Sequence, residues 1–532
     1  MDTHCSYISY KETGYFARIV TDYIEQSPNL DSFYAFPPTR EGILSAINQR
    51  NGFPVSRPAL TEVLKEQYVK MDLTVSVMRN IDALAQDSTY TITTAHQPNI
   101  FTGPLYFIFK IAHAIRLARY CKQEFPQFEF VPVYYMGSED ADLEELGHVT
   151  IDGTLYKWQT TQTGAVGRMK VDKAFIELLN DIEGSLGILP HGPELIALFR
   201  RHYTIHKTIQ QATLEIVNEL FGAYGLLVLI PDHVELKRQF VSLAARELQE
   251  TFSHLAVEHT LTRLSSSYKV QATGRQVNLF YLTNGRRERI EKKKDKYFVL
   301  NADVVFSESE ILQELSDHPE RFSPNVILRG VFQELILPNI IFIGGGSELA
   351  YWMELKDVFQ KANVAYPVLV LRNSFMLLRE DVKKKWDNLG FTLPELFKSG
   401  QDLMKQLVIR ASDNKILLNG ELTSLEELYE VIRAMAGKVD ATLSEHVASL
   451  RKQSVKRLKE LEKKILRSEK KKFEAEERQV QKIKSLLFPD GLQERKENFS
   501  GWYASFGKDF IGEIIEHSLA LEQQFTFLQI EA

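Results

Sequence analysis

Four apolar runs, each followed at once by a loop of glycine and polar residues, constrain this chain more than any other feature. Thr91–Thr94 is a short β-branched run that leads into His96-Gln97-Pro98-Asn99. Phe130–Met136 (FVPVYYM) is followed by Gly137-Ser138-Glu139-Asp140-Ala141-Asp142. Leu226–Ile230 (LLVLI) leads to Pro231-Asp232, and Ile340–Ile343 (IIFI) to Gly344-Gly345-Gly346-Ser347. Short apolar strands of this kind, separated by longer helical stretches, predict a parallel sheet covered on both faces. In such a sheet the loops that follow the strands meet on one edge, where open α/β sheets bind ligands.

Two of these loops lead into helices. Thr102-Gly103-Pro104 sets a helix start with proline near the first turn. Leu105, Phe109, Ala112 and Leu117 then keep an approximate buried stripe. A second helix begins at Glu348, after the three glycines. Each would aim its N–H groups and about half a positive charge at the sheet edge, a ready place for a carboxylate or phosphate. The glycine run is not a dinucleotide fingerprint, because position 349 is Leu, and no Gly-Lys-Ser/Thr follows to make a P-loop.

The polar residues of these loops each carry two readings. His96 is a contact to developing charge or a loop histidine that fixes the turn. Glu139, Asp140 and Asp142 could hold an amine, a sugar hydroxyl or Mg²⁺, while Asp140 or Asp142 could equally N-cap a helix at Leu143. Glu348 is a ligand for an amine or a first-turn acid that complements the helix dipole. Arg329 and Arg372 could neutralise a carboxylate or phosphate, or serve as ion-pair partners, and Asp232 is similar. Tyr351 and Trp352 read as core aromatics. His202, His206, His318 and His446 form no ligand set, so no metal site is expected.

Composition narrows the class. The 532 residues are 44% hydrophobic and 25% charged, ordinary for a globular protein. No apolar run approaches a membrane span, and the start lacks the pattern of a signal peptide. Cys5 and Cys121 are the only cysteines, which excludes a disulfide scaffold and, with the missing leader, favours the cytoplasm. A net charge of −6 argues against a general nucleic-acid binder. Arg451–Lys484 nevertheless carries 14 Lys/Arg against 6 Glu, the balance of a charged coiled-coil flank.

Residues 1–90 read as mostly helical, and a core spans 91–420 with insertions at about 147–203 and 252–324. The second insertion holds a hairpin-like pair, Asn278–Tyr281 and Lys296–Leu300, around Asn284-Gly285. Long helix is expected from roughly Leu422 to Leu487, within a coiled-coil region over 421–490. Leu443, Val447, Leu450, Leu458, Leu461 and Ile465 form its heptad seam. Such a seam predicts a homodimer, with Phe473–Leu487 available to cover part of it. The tail over 491–532 is aromatic enough to pack back on the core.

Three stretches carry a family resemblance: HQPNIFTGPLYFIFKI (His96–Ile111), PVYYMGSEDADLEE (Pro132–Glu145) and RFSPNVILRGVFQELILPNIIFIGGGSELAYWMELKDVF (Arg321–Phe359). With TGYFARIVTDYI (Thr13–Ile24) and the long charged helix, the chain resembles the bacillithiol-biosynthesis cysteine-adding enzymes, a cysteine ligase family, over nearly its whole length. The resemblance implies an α/β fold: a Rossmann-like parallel-sheet core similar to class I aminoacyl-tRNA synthetases, with inserted connecting segments and a C-terminal helical coiled coil that dimerises. It implies the joining of cysteine to glucosamine-malate through an amide, the last step to bacillithiol. The cofactor stays unknown, with ATP or an ADP-like nucleotide as the candidate. Carried onto this sequence, the catalytic candidates are His96, Asp140 and Glu139. The substrate-binding candidates are Gln97, Asn99, Thr102, Gly103, Asp142, Gly344, Gly345, Gly346, Ser347, Glu348 and Arg372. The synthetase loop carries two histidines around a glycine, whereas HQPNIFTG has one. Two other readings stay open: a non-catalytic nucleotide-binding scaffold that recruits partners through the coiled coil, and an RNA-modifying or aminoacylating enzyme that uses the basic helix.

Overall fold

The apolar runs become β1 (Thr89–His96), β2 (Glu129–Met136), β3 (Leu227–Leu229), β4 (Asn339–Gly344) and β5 (Val368–Leu371). In this computed structural model, which describes residues 3–264, 267–271, 274–283, 285–413 and 416–530, they form one sheet in the order β5-β4-β1-β2-β3. Every neighbouring pair is parallel. The chain winds outward from β1 to β3, then returns to add β4 and β5 on the other side. The order therefore reverses between β1 and β4, and the crevice outside their carboxyl ends is the ligand position of this architecture. His96 closes β1 and Gly344 closes β4.

β1 is rich in threonine yet buried. Its β-branched side chains favour a strand, and their hydroxyls find partners inside. Thr93 donates to Asn339 Oδ1 at 2.8 Å and Thr94 to Ile343 O at 3.0 Å. Helix α1 (Leu105–Glu124) follows β1, and α2 (Gly346–Glu354) follows β4. Ala114, Leu117, Ala118 and Cys121 of α1 pack on Ile92, Ile341, Ile343, Val368 and Val370 of the sheet. Each large aliphatic side chain buried here contributes roughly 1.5–3 kcal/mol, so the sheet and α1 are held as one block.

The chain divides into two compact units, one of residues 1–377 with 492–530 and one of 378–491. In the first, the N-terminal segment is not all helical: Thr3–Ser9 is a strand paired antiparallel with Gln524–Ile530. A local apolar pattern cannot reveal a partner at the far end of the chain. The second insertion contains a five-stranded sheet. Leu279–Thr283 pairs with Arg286–Lys293, which in turn pairs with Lys296–Val299. The expected direct pairing of Asn278–Tyr281 with Lys296–Leu300 is therefore corrected. The strand between them, RRERIEKK, buries only Ile290 and lacks the alternation that marks a strand. Gly285 turns the hairpin at φ 76°, and Asn284 lies outside the described residues.

The second unit begins at Leu378, so helices Glu380–Asn388 and Gly400–Ala411 belong to it and not to a core running to 420. The expected long helix is three: α3 (Asn419–Val439), α4 (Ala441–Lys470) and α5 (Glu474–Leu487). Asp440 makes the first break. Its backbone is extended and its side chain caps α4 by accepting from Thr442 N at 2.8 Å. The chain reverses there, and α3 and α4 pair through Tyr429 and Ser454 (2.8 Å) and through Arg433 Nε donating to Ser444 Oγ (3.1 Å). α3 thus runs against the helix that carries the seam. Val447 is buried, but Leu443, Leu450 and Leu461 remain 40%, 39% and 47% exposed. Among the described residues no helix is long and apolar enough to cross a membrane.

Candidate active site

His96 sits at the switch point, 7% exposed, its ring stacked on Phe107 at 4.9 Å and edge-on to Tyr106 at 5.3 Å. Burial, together with the nearby Lys110 and Arg372 cations, pushes its pKa well below 6.5, so the imidazole is neutral at neutral pH. Its Nε2 is buried without a hydrogen-bond partner among the described residues. Buried polar atoms are nearly always paired, so this nitrogen is placed for something that arrives.

Across the crevice, the glycine run divides its labour. A Cβ at Gly344 would lie 2.8 Å from Phe342 and 2.9 Å from Leu349, so this glycine serves packing. Gly345 caps α2, and its N–H donates to Glu348 Oε2 at 2.7 Å. Glu348 also pairs with Lys110 at 2.5 Å, and Lys110 donates to Ala95 O at 2.9 Å. Glu348 is therefore the capping acid and counter-ion of a buried lysine. Gly346 is half-buried beside Val20, and Ser347 is exposed on the first turn of α2.

Arg372 follows β5 and is 4% exposed. Glu494 clamps it, accepting from Nη1 at 2.9 Å and Nη2 at 2.7 Å. Arg372 is thus an ion-pair partner, the second of its two readings from the sequence, and not a free charge for a substrate. Its Nε remains buried and unpartnered among the described residues. A Cβ on Gly345 would lie 3.7 Å from that Nε, and the guanidinium lies 5.2 Å from the ring of Tyr106. His96 and Arg372 thus both lie against Tyr106, with Arg372 Nε beside the start of α2. The ion pairs cancel and His96 is neutral, so this end of the crevice offers the Arg372 Nε–H donor and, in the Nε2–H tautomer, that of His96 without net charge. Such an arrangement suits an oxyanion or a phosphoryl oxygen.

The start of α1 is not open as the sequence suggested. Leu105 N–H donates to Glu497 O at 2.9 Å, and Asn498 Nδ2 donates to Gly103 O at 2.5 Å. The returning C-terminal segment caps this helix, a partner no local pattern could announce. Thr102 is buried with its hydroxyl on Phe101 O at 2.5 Å, away from the crevice. Gly103 needs its freedom, with φ 70°. Asn99 lines a cavity of about 130 Å³ with Tyr106, Glu145, His148 and Arg495, and its Oδ1 is unpartnered among the described residues.

The acidic loop after β2 separates into three roles. Asp142 is exposed and caps a short helix, accepting from Glu145 N at 3.0 Å. Glu139 is buried and ion-paired to Lys237, which also sits 3.2 Å from Asp232. Arg168 donates twice to Asp232, each at 2.6 Å. Glu139 and Asp232 are therefore members of one structural network, and Glu139 is removed as a catalytic candidate. Asp140 is half-buried and reaches the loop after β1. It accepts from Gln97 Nε2 at 3.2 Å and lies 3.7 Å from Arg329. Burial would raise its pKa, but Arg329, Arg287 and Gln97 outweigh it and hold the carboxyl below its usual value.

Sequence reasoning missed Tyr106, Lys110, Arg287 and Glu494. Lys110 carried a signal: a lysine inside the otherwise apolar run LYFIFKIAHA, in a helix buried on nearly all sides, must find a carboxylate. Arg287 sits in the charged strand that lacks a strand's alternation, and Glu494 follows the second unit with nothing to mark it.

A parallel sheet with unpartnered buried nitrogens and the Asp140 carboxylate at its switch point, carried on the same chain as a helical hairpin unit, defines a Rossmann-like enzyme core with a coiled-coil appendage. The chain belongs to the bacillithiol biosynthesis BshC family. Residues 1–373 match the family's N-terminal Rossmann-like domain and 375–530 its C-terminal coiled-coil domain. Similar proteins named "Putative cysteine ligase BshC" come from Flavobacterium johnsoniae (37% identical, 100% of both chains) and Christiangramia forsetii (38%, 99% of both). Another, from Cytophaga hutchinsonii, is 34% identical over 92% of both chains. The family and the Rossmann-like α/β fold expected from the sequence are both borne out.

Proposed function

We propose that this enzyme is a ligase that joins the carboxylate of cysteine to the amine of glucosamine-malate through an amide bond, the last step to bacillithiol. One observation carries the chemistry: His96 Nε2 and Arg372 Nε, on side chains that both lie against Tyr106, are buried and unpartnered among the described residues. Amide formation needs an activated carboxylate, a neutral amine and a place for the oxyanion. The two nitrogens fit the oxyanion or the phosphate of an activated acyl group. Asp140, held ionised by the arginines beside it, fits the amine, which it would orient and relieve of its proton.

ATP is the co-substrate we propose for activation. It would supply the leaving group, and the backbone N–H groups of Gly346 and Ser347 are those we assign to its phosphate. A homodimer through the exposed apolar edge of α3 and α4 and a cytoplasmic location complete the reading.

The test incubates the full-length protein with cysteine and glucosamine-malate, with and without ATP, and reads products by mass spectrometry. A product whose mass equals both substrates less one water supports the ligase. Nucleotide binding without such a product favours the non-catalytic scaffold.

A further inference from the structure

The residual positive charge of the crevice lies away from Arg372. Arg287 comes from the inserted strand Arg286–Lys293, and Arg329 from the helix Val326–Ile336. Arg287 is fixed on three sides. Its guanidinium stacks on Phe280 at 3.8 Å, Nε donates to Ser323 Oγ at 3.2 Å, and Nη2 donates to Pro324 O at 3.2 Å. Nη1 makes no hydrogen bond among the described residues. Arg329 is 27% exposed, and its 3.7 Å approach to Asp140 is longer than a hydrogen bond. Both guanidinium groups therefore keep unused donors.

Charge counting separates the two ends of the crevice. Arg372 and Lys110 have Glu494 and Glu348. Arg287 and Arg329 lie beside Asp140 and Glu139, but Glu139 is directly ion-paired to Lys237, which leaves Asp140 as the carboxylate next to both arginines. Burial first, and then the repulsion of Arg329, lower the Arg287 pKa to about 10 against the pull of Glu139 and Asp140.

We infer that Arg287 and Arg329 are the receptor for the carboxylates of the acceptor's malate, and so the residues that set acceptor specificity. This rests on the ligase reading for the identity of the acceptor. A guanidinium presents paired donors that match a carboxylate, and two of them match a dicarboxylate. Asp140 lies 3.7 Å from Arg329 and accepts from Gln97 in the loop after β1, where an amine on the same molecule would meet it. The inserted sheet thereby serves the site, since Arg287 reaches the core's edge only because that strand carries it there.

The test is calorimetric titration of malate into the full-length protein, with unsubstituted glucosamine as the ligand that lacks carboxylates. Wild type binds malate. R287Q and R329Q weaken that binding about ten- to hundred-fold, the loss typical of a hydrogen bond to a charged group. D140N tightens it, because the competing carboxylate is gone, and a merely damaged fold would not bind more tightly. No malate binding by wild type, or equal binding by wild type and R287Q with no gain in D140N, overturns the receptor. The product assay keeps the two proposals apart. Weakened malate binding in a protein that makes no amide leaves the receptor standing and removes the ligase. Amide formation with an unchanged KM for glucosamine-malate in R287Q does the reverse.

Discussion

Arg372 and Glu494 form a buried, two-pronged ion pair, 2.9 and 2.7 Å, that ties the end of β5 to the segment returning from the second unit. Removing one partner strands the other charge in the interior. E494A should therefore destabilise the protein by about 3–5 kcal/mol. Denaturant unfolding measures it. A loss below about 1 kcal/mol, the range of exposed pairs, would mean that water reaches Arg372.

His96→Ala and Asp140→Ala should each reduce amide formation by about 10²–10³-fold, the cost of one group that contacts developing charge. Their circular dichroism and melting should stay near wild type. Unchanged turnover in both would remove these residues from the site.

The buried Glu334 gives a pH signature. Its Oε1 accepts from Asn339 Nδ2 at 2.7 Å and Gln333 Nε2 at 2.9 Å, and burial raises its pKa from 4.5 to about 7 despite these bonds and the nearby Arg50. The folded state holds this proton more tightly than the unfolded one, so the contribution is full below pH 4.5 and is lost as pH rises through about 7. In full it is on the order of 3 kcal/mol. Glu334→Gln should flatten this part of the stability profile across that window. An identical profile in the variant would mean that Glu334 is ionised in the fold.

Leu450 and Leu461 are half exposed on α4 although they belong to the heptad seam. A second copy is the partner expected for this edge. The double substitution L450D/L461D should convert a dimer to a monomer in light scattering at micromolar concentration. A monomeric wild type would contradict the assembly.

The sheet was legible because its strands are buried on both faces and so read as continuous apolar runs. Pairings between distant segments were not: Thr3–Ser9 meets Gln524–Ile530, and Glu497 caps α1, through contacts that leave no local pattern. Site legibility followed the same rule. His96, Asp140 and the glycine run stand directly after core strands. The strand that carries Arg287 alternates charge with charge, so its one buried residue, Ile290, gave too little signal. The acidic loop could be located but not divided, because only the structure shows Lys237 occupying Glu139 while Asp140 stays at the crevice.

The most direct measurement is the mass of the product formed by purified full-length protein from cysteine, glucosamine-malate and ATP. The expected product is the amide, the two substrates less one water, formed about 10²–10³-fold more slowly when His96 is alanine and poorly when unsubstituted glucosamine replaces glucosamine-malate. Unchanged substrates after exhaustive incubation with active, folded wild-type protein, or equal use of the two acceptors, would contradict this mechanism.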